Sequence, residues 1–213
     1  MQFDGMSEMA RVVVIGTSCV GKTTFAQALA RVLSFPHVEL DALYWQQNWI
    51  PRSPEEFREL VAKDLSQDYW VADGNYSVIR DIIWSRATTV IWLNYSFPIV
   101  LWRALTRTIR RALTQEELFS GNRESLRMAF LSRESTLWWV LTTFHRRRKQ
   151  YRELFDRRTS PQLVYVEFRN RTAAQNFLAR LEVTGPSDLR ANQAKNDLER
   201  NSQTNRANFS PDA

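Results

Sequence analysis

Apolar and polar positions follow two periods along this chain, and the switches between them predict strands alternating with helices. Residues Arg11 to Ile15 form a short run rich in valine and read as a buried strand. From Thr23 to Leu33 the apolar residues Phe25, Leu29 and Val32 recur at helical spacing. His37–Leu40 predicts a second strand. Ser53, Pro54 and Glu56 open a helix: Ser53 caps it, Pro54 fits its first position, and Glu56 completes a capping box. Phe57, Leu60, Val61 and Leu65 then line one face. Tyr69–Ala72 predicts a third strand, closed by a turn at Asp73, Gly74 and Asn75, and Tyr76–Trp84 predicts a helix. Thr88–Leu93 gives a fourth strand, and Pro98 starts a helix that runs to Leu113. Residues 114–157 read as helical and arginine-rich, with a break at Gly121 and Asn122. Leu163–Phe168 gives a fifth strand, and Ala173–Leu181 the last helix.

This succession implies an α/β fold with a parallel sheet covered on both faces. One domain is expected over residues 11–183, with a helical lid region over 114–150. Residues 1–10 read as a loose leader and 184–213 as a polar, disordered tail.

Composition changes this picture little, but charge sharpens it. With 44% hydrophobic and 24% charged residues the chain falls among ordinary globular proteins. Cys19 is its one cysteine, which excludes an intrachain disulfide and suits a reducing compartment. The first residues lack the pattern of a secretory leader, and no run approaches the ~18 apolar residues of a membrane span. A cytoplasmic protein without membrane contact is expected. The net charge of +6 is not spread evenly: residues 101–152 alone carry 12 basic and 4 acidic side chains. Anionic partners are therefore expected at that segment.

The chemistry-bearing motif lies at the first strand–helix junction. Gly16, Thr17, Ser18, Cys19, Val20, Gly21, Lys22 and Thr23 match G-x-x-x-x-G-K-[ST], the phosphate-binding loop, with Thr24 following in the helix. The two glycines let the backbone turn its N–H groups toward phosphate oxygens. The helix N-terminus adds partial positive charge. Lys22 is placed for the β- and γ-phosphates of ATP, and the Thr23 hydroxyl for Mg²⁺. Cys19 reads as a small filler or as a thiol made acidic by the helix end. Asp41 and Asp73 are expected at the carboxyl ends of the second and third strands, where open α/β sheets bind ligands. Asp73 is a candidate for Mg²⁺; Asp41 is a candidate for holding the phosphate acceptor or taking its proton. Turn-forming aspartates are the alternative for both.

The loop, the segment Leu40 to Trp45, the segment Trp70 to Ser77 and the segment Gly121 to Ser125 together resemble the adenylate-kinase-related "DNA topology modulation protein" family. The likeness spans residues 11–181. It implies the P-loop fold with the strand order of nucleoside monophosphate kinases, a five-stranded sheet, a mobile arginine-rich lid and ATP as donor. Asp73-Gly74 matches the Asp-Gly of those kinases, but Asn75, Tyr76 and Ser77 replace the Phe-Pro-Arg that follows in adenylate kinases. Arg80, about one helical turn on, is the candidate to grip the acceptor's phosphate, with Asn75 beside it. Asn94 stands where relatives often carry an aspartate. Trp45 and Trp49 fall where nucleoside monophosphate kinases bind the acceptor, and either stack on it or pack. Arg169 and Arg171 fall in the loop that lies against adenine in related kinases.

Lid arginines complete the expected site. Arg103, Arg107 and Arg111 share a helix face, and Arg123 and Arg127 repeat the spacing beyond Gly121. Arg107 and Arg111 are the candidate nucleotide contacts; Arg123 and Arg127 are the candidates to stabilise the transferring phosphoryl group. Arg146, Arg147, Arg148 and Lys149 cannot all face one site from a helix and read as a solvated face, or a weak patch for phosphate or nucleic acid. Trp138 and Trp139 are expected to dock the lid helices. His37 and His145 have no metal-like spacing and receive no role. The expected activity is ATP-dependent phosphoryl transfer to a nucleoside monophosphate or small metabolite. The competing reading is an ATP-binding protein or ATPase associated with nucleic acid.

Overall fold

The computed structural model describes residues 9–114, 117–122, 136–157 and 163–184. The candidates Arg123 and Arg127, the leader at 1–8, and all of the tail but Thr184 lie outside the described residues.

Strand β1 (Arg11–Gly16) passes through the loop into helix α1 (Lys22–Leu33). Then come β2 (His37–Glu39), α2 (Leu40–Tyr44), α3 (Pro54–Asp64), β3 (Trp70–Asp73), α4 (Arg80–Arg86) and β4 (Thr89–Leu93). The long helix α5 (Phe97–Thr114) is followed by α6 (Thr136–Arg157), β5 (Val164–Phe168) and α7 (Arg171–Thr184). The five strands form one sheet in the order β2-β3-β1-β4-β5, and every pairing is parallel. This is the P-loop NTPase arrangement expected from the sequence.

Alternation along β1 explains the two cores. Val12 and Val14 pack on one face with Phe25 and Leu29 of α1, Val100 and Ala104 of α5, and Leu181 of α7. Val13 and Ile15 pack on the other with Phe57 and Val61 of α3 and Ile83 of α4. Helix α6 serves both: Val140 and Phe144 join the first core, and Tyr151 the second. Trp70 and Trp92 are fully buried on the second face. Each removes on the order of 200 Å² of mostly apolar surface from water, a gross gain of about 5 kcal/mol.

Several boundaries differ from the sequence reading, each for a physical reason. β2 stops at Glu39, because the buried Leu40 already belongs to α2. Asp41 therefore sits in the first turn of α2 and not at a strand end. Gly74 makes this possible: a Cβ there would stand 2.7 Å from Leu40 Cβ, and its φ of +150° suits glycine. Ser53 Oγ does cap α3 by accepting from Glu56 N at 3.1 Å, but the Glu56 carboxylate pairs with Arg52. A 3₁₀ turn at Ser77–Ile79 precedes α4, so the expected helix from Tyr76 begins late. Trp138 and Trp139 remain 49% and 45% exposed, while Val140 and Phe144 carry the packing of α6 on the core. No helix among the described residues is long and apolar enough to cross a membrane.

Candidate active site

Parallel strands bring their carboxyl ends to one end of the sheet, where Glu39 pairs with Asp73, Asp73 with Val14, and Gly16 with Leu93. Gly16 opens the loop in a conformation that glycine favours, with φ +155°, and a Cβ would meet Leu93 O at 2.7 Å and Val20 Cγ1 at 2.9 Å. Gly21 ends it as the N-cap of α1, also left-handed. No side chain caps that helix, and its first turn carries no acidic residue. The first N–H groups of α1 thus point at the loop without a side-chain partner, the electrostatic condition for an anion. Lys22 Nζ donates to Thr17 O at 3.4 Å, so the ammonium spans its own loop. Val20 is fully buried and serves the loop through its backbone, whereas Thr24 is exposed.

Asp73 is nearly as buried as the core and is held on both oxygens. Thr23 Oγ1 donates to Oδ2 at 2.7 Å, and His37 Nε2 lies 2.8 Å from Oδ1. Glu39 Oε1 stands 3.2 Å from the same Thr23 hydroxyl. Burial pushes the Glu39 carboxyl above its ordinary range, and the charge of Asp73 adds to the push. A cation beside Thr23 relieves both effects. Among the described residues no group of three or more His, Cys, Asp or Glu forms an all-protein metal cage. Mg²⁺ in phosphate sites needs only one or two protein ligands besides the phosphates, and Thr23 and Asp73 fit that. His37 and Glu39 were missed in the sequence, because their partners lie at the ends of other elements.

Asn75 clamps the loop from the β3 side. Its Oδ1 accepts from Gly16 N at 3.4 Å, and its Nδ2 donates to Gly16 O. The amide assigned to the acceptor is thus taken up by the loop backbone. Asp41 Oδ1 accepts from Tyr76 OH at 2.6 Å. Burial, then the Asp41 charge, raises the Tyr76 phenol far beyond its ordinary value, so it remains a donor. Arg80 is half-buried and lines the space next to Asn75 and Tyr76.

Arginines from the helices reach the site selectively. Arg103, placed on the expected stripe but not among the candidate contacts, donates to Val20 O and lies 5.2 Å over the Tyr95 ring. Arg107 is half-buried one turn further along α5, and Arg111 another turn on. Arg171 is exposed at the start of α7. Arg169 instead pairs with Glu167 at 3.1 Å, and Arg152 joins the same carboxylate at 2.9 Å. Asn94 Nδ2 donates to Glu167 Oε1 at 2.6 Å, so Asn94 ties β4 to β5. Burial opposes ionisation of Glu167, but the bonds from Asn94, Arg169 and Arg152 outweigh it and hold the carboxyl below its ordinary range.

Trp45 and Trp49 pack on each other edge to face, 5.7 Å apart, and Trp45 packs on Tyr44 in the same way. Their loop is fastened by Asn122. Its Oδ1 accepts from Trp49 N at 2.9 Å, and its Nδ2 donates to Gln46 O at 2.8 Å and Phe119 O at 2.7 Å. Asn122, at the expected break, is therefore a buried staple to the loop after Asp41.

The chain thus has a P-loop nucleotide-binding fold in which Thr23 and Asp73 pair beside the loop. No protein-family model matches it, and no curated protein matches it. In fold it is similar to a gluconokinase from Sinorhizobium meliloti 1021 (17% identity, covering 90% of this chain and 98% of that one, TM-score 0.46). It is likewise similar to a shikimate kinase from Bacteroides thetaiotaomicron (14%, 81% and 96%, TM-score 0.49). A third is a shikimate kinase from Acinetobacter baumannii in complex with shikimate (18%, 84% and 94%, TM-score 0.47).

Proposed function

We propose that this protein is an ATP- and Mg²⁺-dependent phosphotransferase acting on a small acceptor, either a nucleoside monophosphate or a hydroxylated metabolite. One observation carries the reading: an uncapped helix N-terminus follows the loop, with Lys22 across it and Thr23 Oγ1 2.7 Å from a buried Asp73. The loop N–H groups and Lys22 bind the donor's phosphates, and Thr23 and Asp73 hold the metal. Mg²⁺, when bound, neutralises charge on the phosphates. Asn75 fixes the loop, and His37 fixes the Asp73 carboxylate. Asp41, oriented by Tyr76, faces the acceptor side with Trp45 and Arg80. Arg103, Arg107, Arg111 and Arg171 belong to the donor side, and Arg123 and Arg127 remain the candidates to close over the transferring group. The sequence resemblance to adenylate-kinase-related proteins supports the same reading.

The test is ADP formation from ATP–Mg²⁺ with a panel of nucleotides and hydroxylated metabolites, with Lys22→Ala as control. An acceptor that raises turnover well above the background, with loss of that turnover in Lys22→Ala, is the expected result. Unchanged ATP affinity in Lys22→Ala would refute the donor site. DNA-stimulated ADP release with no active acceptor would favour the ATPase.

A further inference from the structure

Beside the acceptor side lies a cavity of about 380 Å³ that the phosphate loop does not use. It opens between the start of α4 and the second half of α6, and Arg80, Arg146, Arg147 and Arg157 line it. Glu153 is the one carboxylate in its wall; Ser77 and Gln150 add neutral donors. Among the described residues none of these four arginines is ion-paired. Four guanidiniums against one carboxylate, converging in one concavity, form a site for an anion with several oxygens. The helix spacing explains the convergence. Positions 146, 147, 150, 153, 154 and 157 fall on one side of α6 at 100° per residue, while Arg148 points away.

The cavity shares part of its wall with a void beside the phosphate-binding loop. Arg80 and Leu154 also line a narrow void of about 20 Å³ with Asn75 and Tyr76. Asn75 holds Gly16, and Tyr76 holds Asp41. Tyr151 lines this void too, and its buried hydroxyl faces the charges of Arg147 and Arg80 from the cavity wall. The size suits a small molecule.

We infer that this arginine cavity binds the anionic end of the phosphate acceptor, so that the acceptor is a small molecule carrying a phosphate or carboxylate remote from the oxygen that is phosphorylated. This rests on the phosphotransferase reading above for the word acceptor, but the anion site is testable without turnover. Full-length protein saturated with ADP–Mg²⁺ is titrated by calorimetry with pyrophosphate and, separately, with citrate. Arg146→Gln/Arg157→Gln is compared with Arg148→Gln/Lys149→Gln, which removes the same charge from the same helix away from the cavity. Loss of two charge-assisted contacts predicts roughly 100-fold weaker anion binding in the first variant, and within about threefold of wild type in the second. The two probes tell a phosphate from a carboxylate preference. In the acceptor assay, phosphorylated or carboxylated metabolites should be used and their neutral counterparts not. The first variant should raise the acceptor's KM about 10-fold or more while the KM for ATP stays put. Equal weakening by both variants, or equal use of neutral acceptors, overturns the proposal. So does single-stranded DNA binding more tightly than pyrophosphate and competing with it. Failure of ATP turnover alongside cavity-dependent pyrophosphate binding would sink the kinase reading and leave the anion site standing.

Discussion

Asp73→Asn separates the metal-binding role of this carboxylate from a merely structural one. Asp73 is 2% exposed and accepts two hydrogen bonds, from Thr23 Oγ1 and His37 Nε2. Asparagine keeps the shape. With its oxygen toward His37 and its amide toward Thr23, both contacts survive, because the Thr23 hydroxyl can turn its proton to Glu39 at 3.2 Å. Weakening of the charge-assisted bonds costs about 1–2 kcal/mol. Against that, Asp73 and Glu39 both approach one hydroxyl, so their nearest oxygens are no more than about 6 Å apart. Two charges at that distance repel by about 3 kcal/mol at an effective dielectric of about 20, and solvent at the half-buried Glu39 leaves roughly 1 kcal/mol. The two effects offset, so folding stability by urea denaturation should move by less than ~1 kcal/mol. Catalysis has no such offset. A dication loses a full charge from its site, and about 2–4 kcal/mol of transition-state stabilisation goes with it, a fall of about 30- to 1,000-fold in kcat/KM. ADP formation measured across a Mg²⁺ series should show the fall, with part recovered at high Mg²⁺. Turnover within threefold of wild type at every Mg²⁺ concentration would refute the metal role. A stability loss above ~3 kcal/mol would make Asp73 a structural residue instead.

Three further outcomes follow from single contacts. Glu39→Gln should stabilise the fold by about 1 kcal/mol at pH 7. The folded-state pKa of Glu39 is raised, so its favourable contribution is complete below 4.5 and is lost as pH rises through the folded value; the gain should vanish in urea titrations at pH 4. Asn75→Ala removes both bonds to Gly16 and should raise the KM for ATP about tenfold, with less change for the acceptor in the same steady-state assay. Asn122→Ala removes three bonds from a nearly buried amide and should cost about 2–3 kcal/mol in urea unfolding, with earlier proteolysis between residues 45 and 51. An Asn122→Ala protein as stable as wild type would show that the staple is dispensable.

The fold was largely legible because its signals are local. Valines in β1, the capped start of α3 and the spacing within the loop each lie within a few residues of one another. The second shell was not, because its partners meet only through the strand order. His37 has no neighbour in sequence that marks it, yet 36 positions on it finds Asp73. Asn75 reads as an acceptor group from its place after Asp73-Gly74, and in the fold its amide hydrogen-bonds Gly16 on both sides. Arg103 looked like the start of a stripe aimed at phosphate, and it reaches the loop backbone instead.

Asp41 shows most clearly what governs the difference. A buried leucine reads as strand, so Leu40 extended β2 in the sequence reading and carried Asp41 to the strand end. In the sheet, β2 pairs with β3 through Glu39 and Asp73, and that register ends the strand there. With β3 between β2 and β1, the last residues of all three strands become neighbours. Two acidic side chains two residues apart are then divided: Glu39 faces Thr23, and Asp41, in the first turn of α2, faces Tyr76. That division needs Gly74, whose missing Cβ gives Leu40 its place between the two carboxylates. The same three residues, Glu39, Leu40 and Asp41, therefore set both the fold boundary and, on the proposed function, the split between donor and acceptor sides. Gly74→Ala should disturb both sides together, raising the KM for ATP and for the acceptor in one steady-state experiment, whereas Asn75→Ala disturbs the donor side alone.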